Sequence, residues 1–128
     1  MELGGLGLGV FEYCLVTEEL ARAWMSTASI IARASMISKR DLPLPDADEK
    51  MRQVVRGEYL GAFAMSEPGA GSDLASLQCK AEDKGDHFLV NGSKIWTTMG
   101  NYAKYMILLA HNEAQAERKY NGLSFFLA

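Results

Sequence analysis

AMSEPGAGSD, residues 64–73, is the stretch that organises the chain. Pro68 fixes a corner, and Gly69 and Gly71 permit backbone angles or close approaches that side chains would block. The amides of Gly71 and Ser72, with the Ser72 hydroxyl, can donate to an anionic or carbonyl-rich ligand. A tight connection between strands explains the same residues, and a bare G-x-G favours that interpretation. No Gly-Lys-Ser/Thr follows, and no third glycine completes a dinucleotide fingerprint.

Upstream of this loop the sequence is helical in character. Apolar residues recur at helical spacing from Val10 to about Lys39. The proline-rich stretch 40–45 ends that helix. A second helix is predicted to begin at Asp46, with Glu49 as its capping-box partner and Gly57 as its C-terminal cap.

Downstream of Gly57 the patterns are those of short strands. The predicted strands are Tyr59–Met65, 77–82, His87–Val90, Lys94–Thr98, Tyr105–His111 and Leu123–Leu127. Asn91-Gly92 predicts a hairpin between two of them. Connections of this length leave no room for helical crossovers, so an antiparallel sheet or small barrel is expected.

The predicted fold class is therefore α+β, with a helical segment at residues 1–57 and a β domain at residues 58–128. The glycine-rich, apolar start at Leu3–Gly9 resembles the inside of a larger fold. The last predicted strand runs to Ala128 with no polar tail. We therefore expect a fragment whose β domain is incomplete at its C-terminal end.

Composition narrows the classes of function. Of 128 residues, 48% are hydrophobic and 23% charged, which is typical of a globular protein. The net charge is −3 with no basic face, so no nucleic-acid partner is expected. Cys14, Cys79, His87 and His111 are isolated, which predicts no metal site and suits a reducing compartment. The longest uncharged part of the first helix, residues 23–32, is about half of what a membrane span needs, so no span is expected.

A second stretch of interest is KIWTT, residues 94–98. It places an aromatic plane, Trp96, beside the hydroxyl groups of Thr97 and Thr98. Core packing on a strand explains these residues too. A planar heteroaromatic cofactor needs both kinds of group, one to cover its face and one to bond its edge.

Together these stretches resemble the acyl-CoA dehydrogenase family of flavoproteins. GAFAMSEPGAGSDLASLQCKAEDKGDHFLVNGSKIWTTMGNYAKYMILLA is similar to the family's middle β domain, and GGLGLGVFEYCLVTEELARAWMSTA is similar to the end of its N-terminal helical domain. The E-P-G-A-G-S-D loop, followed about two dozen residues later by N-G-x-K-x-W-x-T, is a specific pairing. The resemblance implies that the family's C-terminal helical domain is absent from these residues.

The resemblance implies an FAD site. Phe63–Ser66 and the loop through Ser72 would hold the isoalloxazine ring, with Met65 and Ser66 at its pyrimidine edge. Phe63 stands where the family often has tyrosine. Gly71 and Ser72 would contact the pyrophosphate, and Ser72 would also lie near the acyl-CoA substrate.

The second motif would complete that site. Trp96 would lie against the flavin face away from the substrate, and Thr98 would bond near N5, the hydride acceptor. Thr97 would join the cofactor-binding segment at a position where isoleucine is more usual. Donors near N1, O2 and N5 stabilise negative charge as a flavin is reduced.

The family removes a proton α to the thioester carbonyl and a hydride from the β carbon, giving a 2,3-enoyl-CoA. Its electrons pass to an electron-transfer flavoprotein. Its base is a glutamate of the C-terminal helical domain, so no catalytic residue is assigned here, and Glu67 belongs to the flavin loop. The resemblance also implies a homotetrameric parent protein in the bacterial cytoplasm or mitochondrial matrix. The alternatives are a flavin-dependent acyl-CoA oxidase or monooxygenase of the same superfamily, and a catalytically inert fragment.

Overall fold

The computed structural model describes residues 3–34, 46–112 and 121–128. The chain forms two compact units, Met1–Leu60 and Gly61–Ala128. Helices make up the first unit and strands the second. The predicted α+β class, a helical segment followed by a β-sheet domain, is confirmed.

The helical unit contains α1, Val10–Ala34, and α2, Ala47–Val55. The predicted continuation of α1 to about Lys39 lies outside the described residues. Trp24 interrupts α1, because its φ of −161° and ψ of 108° belong to extended backbone. The indole of Trp24 is exposed.

The sequence predicts the C-terminal cap of α2 correctly but not its N-terminal cap. The C-terminal cap at Gly57 is confirmed, since its φ is +74° and its N–H bonds back to the helix at 3.0 Å. The capping box is wrong. The Asp46 side chain caps no N–H and its carboxylate lies 3.4 Å from Lys50 Nζ. Glu49 does not reach back either, because it pairs with Arg56 at 3.2 Å.

Five strands form one sheet in the second unit. They are β1 (Gly61–Ala64), β2 (Lys80–Asp83), β3 (Phe88–Asn91), β4 (Tyr105–Asn112) and β5 (Leu123–Leu127). β4 pairs in parallel with β1 and β2 and antiparallel with β5, while β2 and β3 are antiparallel. The sheet is mixed, whereas connection lengths predicted an antiparallel one. The long excursion between β3 and β4 accounts for the difference, because it brings β4 back alongside β1 in the same direction.

That excursion also overturns two local predictions. Residues 94–98 form no strand. Trp96 and Met99 have φ values of +57° and +68°, which break the extended backbone that a ladder needs. The predicted hairpin at Asn91-Gly92 is also wrong, since β3 runs through Asn91 and no strand follows at residues 94–98. Gly92 itself has a φ of +158°, which residues with a side chain rarely adopt.

Small side chains dominate the core of the β unit. One cluster of buried residues in this core consists of Ala70, Leu77, Cys79, Ala81, Leu109 and Ala110. The predicted alternation over residues 77–82 is confirmed, because every second residue from Leu77 is at most 2% exposed and those between are exposed. Within this stretch only residues 80–82 pair with a neighbouring strand, as part of β2.

Gly61 is a position where the sheet has no room for a side chain. It is the ladder partner of Tyr105, and a Cβ built on Gly61 would overlap the Tyr105 ring. We expect Gly61→Ala to lower the free energy of unfolding by about 1–3 kcal/mol, the usual cost of overpacking. Urea unfolding of the complete protein measures this. Gly5→Ala, where a Cβ meets nothing within 4 Å, is the matched control. Equal midpoints for the two variants would contradict the prediction.

Candidate functional site

The loop that contains AMSEPGAGSD leaves the sheet at a gap in one edge of β4. Ile107 and Leu108 have ladder partners in both β1 and β5, and His111 has partners in both β2 and β5. Within a sheet, a strand residue can pair with one strand on each of its two edges. β1 and β2 therefore follow one another along the same edge of β4, and the loop between them, residues 65–79, emerges where β1 ends and β2 has yet to begin.

The corner of this loop is closed by its own backbone. Glu67 N–H donates to Ala70 O at 2.8 Å, and Ala70 N–H donates to Glu67 O at 3.1 Å, around Pro68-Gly69. Neither Gly69 nor Gly71 has a left-handed φ, and a Cβ built on either meets nothing within 4 Å. The fold of the chain itself therefore does not require glycine at these two positions. Their open side is accessible to a ligand.

The loop carries backbone donors with no protein acceptor. Across residues 3–34, 46–112 and 121–128, the N–H groups of Ser66, Gly71 and Ser72 donate no hydrogen bond to the protein. Gly71 and Ser72 are also exposed. Unused amides on a short rigid loop are suited to bind carbonyl or phosphate oxygens.

A buried ion pair joins the loop to the KIWTT segment. The side chains of Glu67 and Lys94 are 5% and 9% exposed, and Lys94 Nζ donates to Glu67 Oε1 at 2.8 Å. Lys94 Nζ also donates to Met65 O at 3.0 Å. The carboxylate of Glu67 further accepts from the N–H groups of Gln78 at 2.5 Å and Cys79 at 2.9 Å. The two sequence motifs and the entry to β2 thus meet at one carboxylate and one ammonium group.

These contacts determine the ionisation of the buried groups. Burial alone would raise the pKa of Glu67, but the Gln78 N–H, Lys94 and the Cys79 N–H together outweigh it and hold the pKa below the ordinary 4.5. Burial raises the pKa of the Cys79 thiol, so the thiol stays protonated near neutral pH. Glu67 is ionised and engaged through both oxygens, which makes it a poor proton acceptor.

Trp96 and its neighbours form the exposed part of the site. The indole of Trp96 is 85% exposed, although its backbone holds a φ of +57° that costs a bulky residue about 1 kcal/mol or more. Gly100 N–H donates to Thr97 O at 3.0 Å, which closes the turn after Thr98. Thr98 is exposed. Core packing, the alternative explanation for this tryptophan, does not occur within the described residues.

The predicted site residues of the two motifs form three groups, at residues 65–66, 71–72 and 96–98. The structure brings the first and the third of these together. Ile95 N–H donates to Ser66 O at 2.9 Å, so residues 65–66 and 94–98 lie side by side. Phe63 is half-buried within β1. Residues 71–72 lie farther along the same loop, and among the described residues no hydrogen bond links them to 96–98.

Sequence reasoning missed the two residues that connect the site. Glu67 was assigned only to the loop, and Lys94 only to a strand. The signal is present in the sequence, since Glu67 and Lys94 carry opposite charges within two otherwise largely uncharged motifs. Charges in such settings are rarely buried unless they are paired.

The described ranges contain neither a metal-binding cluster nor a membrane-spanning helix. No group of three or more His, Cys, Asp or Glu residues there is arranged to hold a metal ion. No helix among those residues is long and apolar enough to cross a membrane.

Comparison with known proteins supplies the relatives. A model of the acyl-CoA dehydrogenase N-terminal domain matches residues 1–44, and one of the acyl-CoA dehydrogenase middle domain matches residues 62–128. Mitochondrial isovaleryl-CoA dehydrogenase of Pongo abelii is 36% identical over 132 residues, covering 99% of this chain and 31% of that protein. The chain thus spans about a third of the length of this relative.

Two solved structures have the same fold. An acyl-CoA dehydrogenase from Geobacillus kaustophilus is 30% identical with a TM-score of 0.83, covering 99% of this chain and 34% of that one. A chain in a structure described as the electron transferring flavoprotein of Acidaminococcus fermentans is 29% identical with a TM-score of 0.80 at the same coverage.

Proposed function

Because the chain belongs to the acyl-CoA dehydrogenase family, we propose that it holds FAD in an enzyme that forms a Cα–Cβ double bond in an acyl-CoA thioester. The observation that carries the proposal is that residues 65–66 and 94–98 lie side by side and are joined by the hydrogen bond from Ile95 N–H to Ser66 O. These segments carry an exposed, strained Trp96 and an unused N–H at Ser66. Strain at an exposed aromatic residue is typical of a ligand site rather than a packing site.

The residues fit a planar cofactor that carries a diphosphate. An exposed indole can cover a ring face, and the hydroxyl of the exposed Thr98 can bond the ring edge. The unused amides of Gly71 and Ser72 suit phosphate oxygens. The open space beside Gly71 lets such a group approach the backbone closely.

We assign the contacts as follows. Met65 and Ser66 offer main-chain and side-chain groups to the pyrimidine edge of the flavin, and Phe63 precedes them in β1. Gly71 and Ser72 bind the pyrophosphate. Ser72 also lies next to the acyl-CoA.

The KIWTT segment provides the remaining contacts. Trp96 covers the ring face away from the substrate and excludes water from it. Thr98 donates to the region of N5, and Thr97 lies between them in the cofactor-binding segment.

When bound, FAD supplies the acceptor for the hydride that leaves the β carbon of the acyl group. The residues of this chain bind and orient that acceptor. Glu67 does not take the α proton, because it is ionised and accepts hydrogen bonds through both of its carboxylate oxygens. A base elsewhere in the complete enzyme removes that proton, and the product is the 2,3-enoyl-CoA.

We further propose an electron-transfer flavoprotein as the electron acceptor and a homotetramer as the complete enzyme. The description of the Acidaminococcus fermentans structure supports the choice of acceptor. The mitochondrial relative and the Geobacillus structure support a mitochondrial matrix or a bacterial cytoplasmic location.

The test is the purified complete protein under anaerobic conditions. We expect a yellow protein that contains FAD and bleaches when an acyl-CoA is added. A colourless protein that takes up no FAD would sink the proposal. Rapid reoxidation of the reduced protein by air would indicate an oxidase or monooxygenase instead. Titration of FAD into the isolated 128 residues tests the inert-fragment alternative, which tight binding would rule out.

Trp96→Ala is expected to weaken FAD binding roughly tenfold, because an aromatic pair contributes about 0.5–1.5 kcal/mol beyond the area it buries. Fluorescence titration of the apoprotein with FAD measures the change. Tyr102→Ala is the matched control, since Tyr102 is an exposed aromatic residue on the same excursion. Trp96→Phe should retain most of the affinity. Equal losses for Trp96→Ala and Tyr102→Ala would count against the assigned role.

A further inference from the structure

The peptide group between Met65 and Ser66 is held in an asymmetric way. Its carbonyl, Met65 O, accepts from the ammonium of Lys94 at 3.0 Å. Its N–H, that of Ser66, donates to no acceptor in the described part of the chain. The next carbonyl, Ser66 O, accepts from Ile95 N–H at 2.9 Å. The peptide is therefore held through its own carbonyl and through the carbonyl of the next peptide, and its N–H is left for a ligand.

A buried ammonium on the carbonyl changes the donor at the other end of the same peptide. Hydrogen bonds to a charged donor are stronger than neutral ones, and bonds in a chain polarise one another. The ammonium of Lys94 draws electron density toward Met65 O, which makes the Ser66 N–H a stronger donor. Lys94 is 9% exposed, so solvent screens this effect weakly.

Glu67 opposes that polarisation. Its carboxylate lies 2.8 Å from the same ammonium and is itself 5% exposed. The field at the peptide is therefore the difference between two buried charges of opposite sign. Removing either charge changes the field in the opposite sense to removing the other.

We propose that Lys94 and Glu67 are positioning residues that set the reduction potential of the bound flavin through the Met65–Ser66 peptide. This inference rests on the proposed function, because it assigns the Ser66 N–H to the pyrimidine edge. Reduction places negative charge on that edge, and a stronger donor stabilises it. Lys94 raises the potential and Glu67 limits the rise.

The experiment is a potentiometric titration of the FAD-loaded complete protein and its variants. Lys94→Met removes the ammonium, leaves the carboxylate, and is expected to lower the potential. Glu67→Gln keeps hydrogen-bond acceptance but removes the negative charge, and is expected to raise it. A tenfold change in the equilibrium between reduced and oxidised forms, the size we expect, equals about 30 mV for two electrons.

Two further variants separate charge from structure. Lys94→Arg keeps the charge and is expected to keep the potential near that of the wild type. Lys84→Met removes the lysine of an exposed pair with Glu82 and is expected to leave the potential unchanged. A purely structural role would weaken FAD binding in both buried variants without shifting the potential in opposite directions.

Shifts of the same sign in Lys94→Met and Glu67→Gln, or no shift in either at full FAD occupancy, would overturn the inference. If Lys94→Met fails to fold, Glu67→Gln and Lys94→Arg decide. The inference is equally overturned if the potential does not rise in Glu67→Gln. It is also overturned if the potential falls in Lys94→Arg by the amount expected for loss of the charge. Failure of the proposed function is a separate result, because it is seen in a wild-type protein that takes up no FAD.

Discussion

Glu67→Ala is expected to lower the free energy of unfolding of the complete protein by about 3–5 kcal/mol, the usual cost of removing one partner of a buried ion pair. The variant leaves the buried ammonium of Lys94 without its counter-charge. It also leaves the N–H groups of Gln78 and Cys79 without their acceptor. Urea unfolding of the protein without FAD measures the loss, because bound cofactor would add its own stabilisation.

The double variant tests whether the loss is electrostatic. Glu67→Leu combined with Lys94→Met replaces the pair by apolar side chains and is expected to lose less than the sum of the two single changes. Glu82→Gln, in an exposed pair with Lys84, is the matched control and should change stability by less than about 0.5 kcal/mol. Additive losses in the double variant would contradict the pairing.

The same carboxylate gives the expected pH dependence. The folded-state pKa of Glu67 lies below the ordinary 4.5, so its stabilisation is fully present above that value and is lost as pH falls through the folded pKa. The stability gap between the wild type and Glu67→Gln should therefore be largest above pH 4.5 and shrink in more acidic solution. Unfolding midpoints of both proteins across that range measure it. A gap that stays constant with pH would show that Glu67 keeps its ordinary pKa.

Local patterns predict the parts of this fold whose interactions are local. The alternation from Leu77 depends on which face of the chain meets the core, and it is confirmed. The cap at Gly57 depends on one left-handed residue after a helix, and it is confirmed too. The last strand, Leu123–Leu127, lies where its apolar run predicts.

Features that depend on distant partners were not predictable in this way. The parallel pairing of β1 with β4 joins residues that are about forty positions apart, and no hairpin signal precedes it. The turn at Trp96 requires a backbone angle that tryptophan alone disfavours. This backbone angle occurs in a segment that is held by the contact between Lys94 and Glu67, 27 residues earlier in the chain. Motif resemblance predicts that both segments bind the cofactor but gives no role to the two charges that join them.

Gly92→Ala is the second change with a large expected effect. A Cβ built on Gly92 lies 2.7 Å from the Cα, Cβ and Sγ atoms of Cys79. Cys79 cannot move aside, because its N–H donates to Glu67 Oε1 at 2.9 Å and its carbonyl accepts from His111 N–H at 2.8 Å. We expect a loss of about 3 kcal/mol or more in the free energy of unfolding, at the upper end of overpacking costs. The glycine is thus required by its close approach to Cys79 and by its φ of +158°, rather than by a hairpin turn.

A second substitution shows which atom of Cys79 causes the loss. Cys79→Ala removes Sγ but leaves Cα and Cβ in contact with the added methyl group, so it is expected not to rescue Gly92→Ala. Gly5→Ala again serves as the control in open space. Full rescue by Cys79→Ala would mean that the sulfur alone made the contact and that the backbone had room. Without rescue, the strain must displace the chain just before Lys94, and we expect FAD binding to weaken in the same variant.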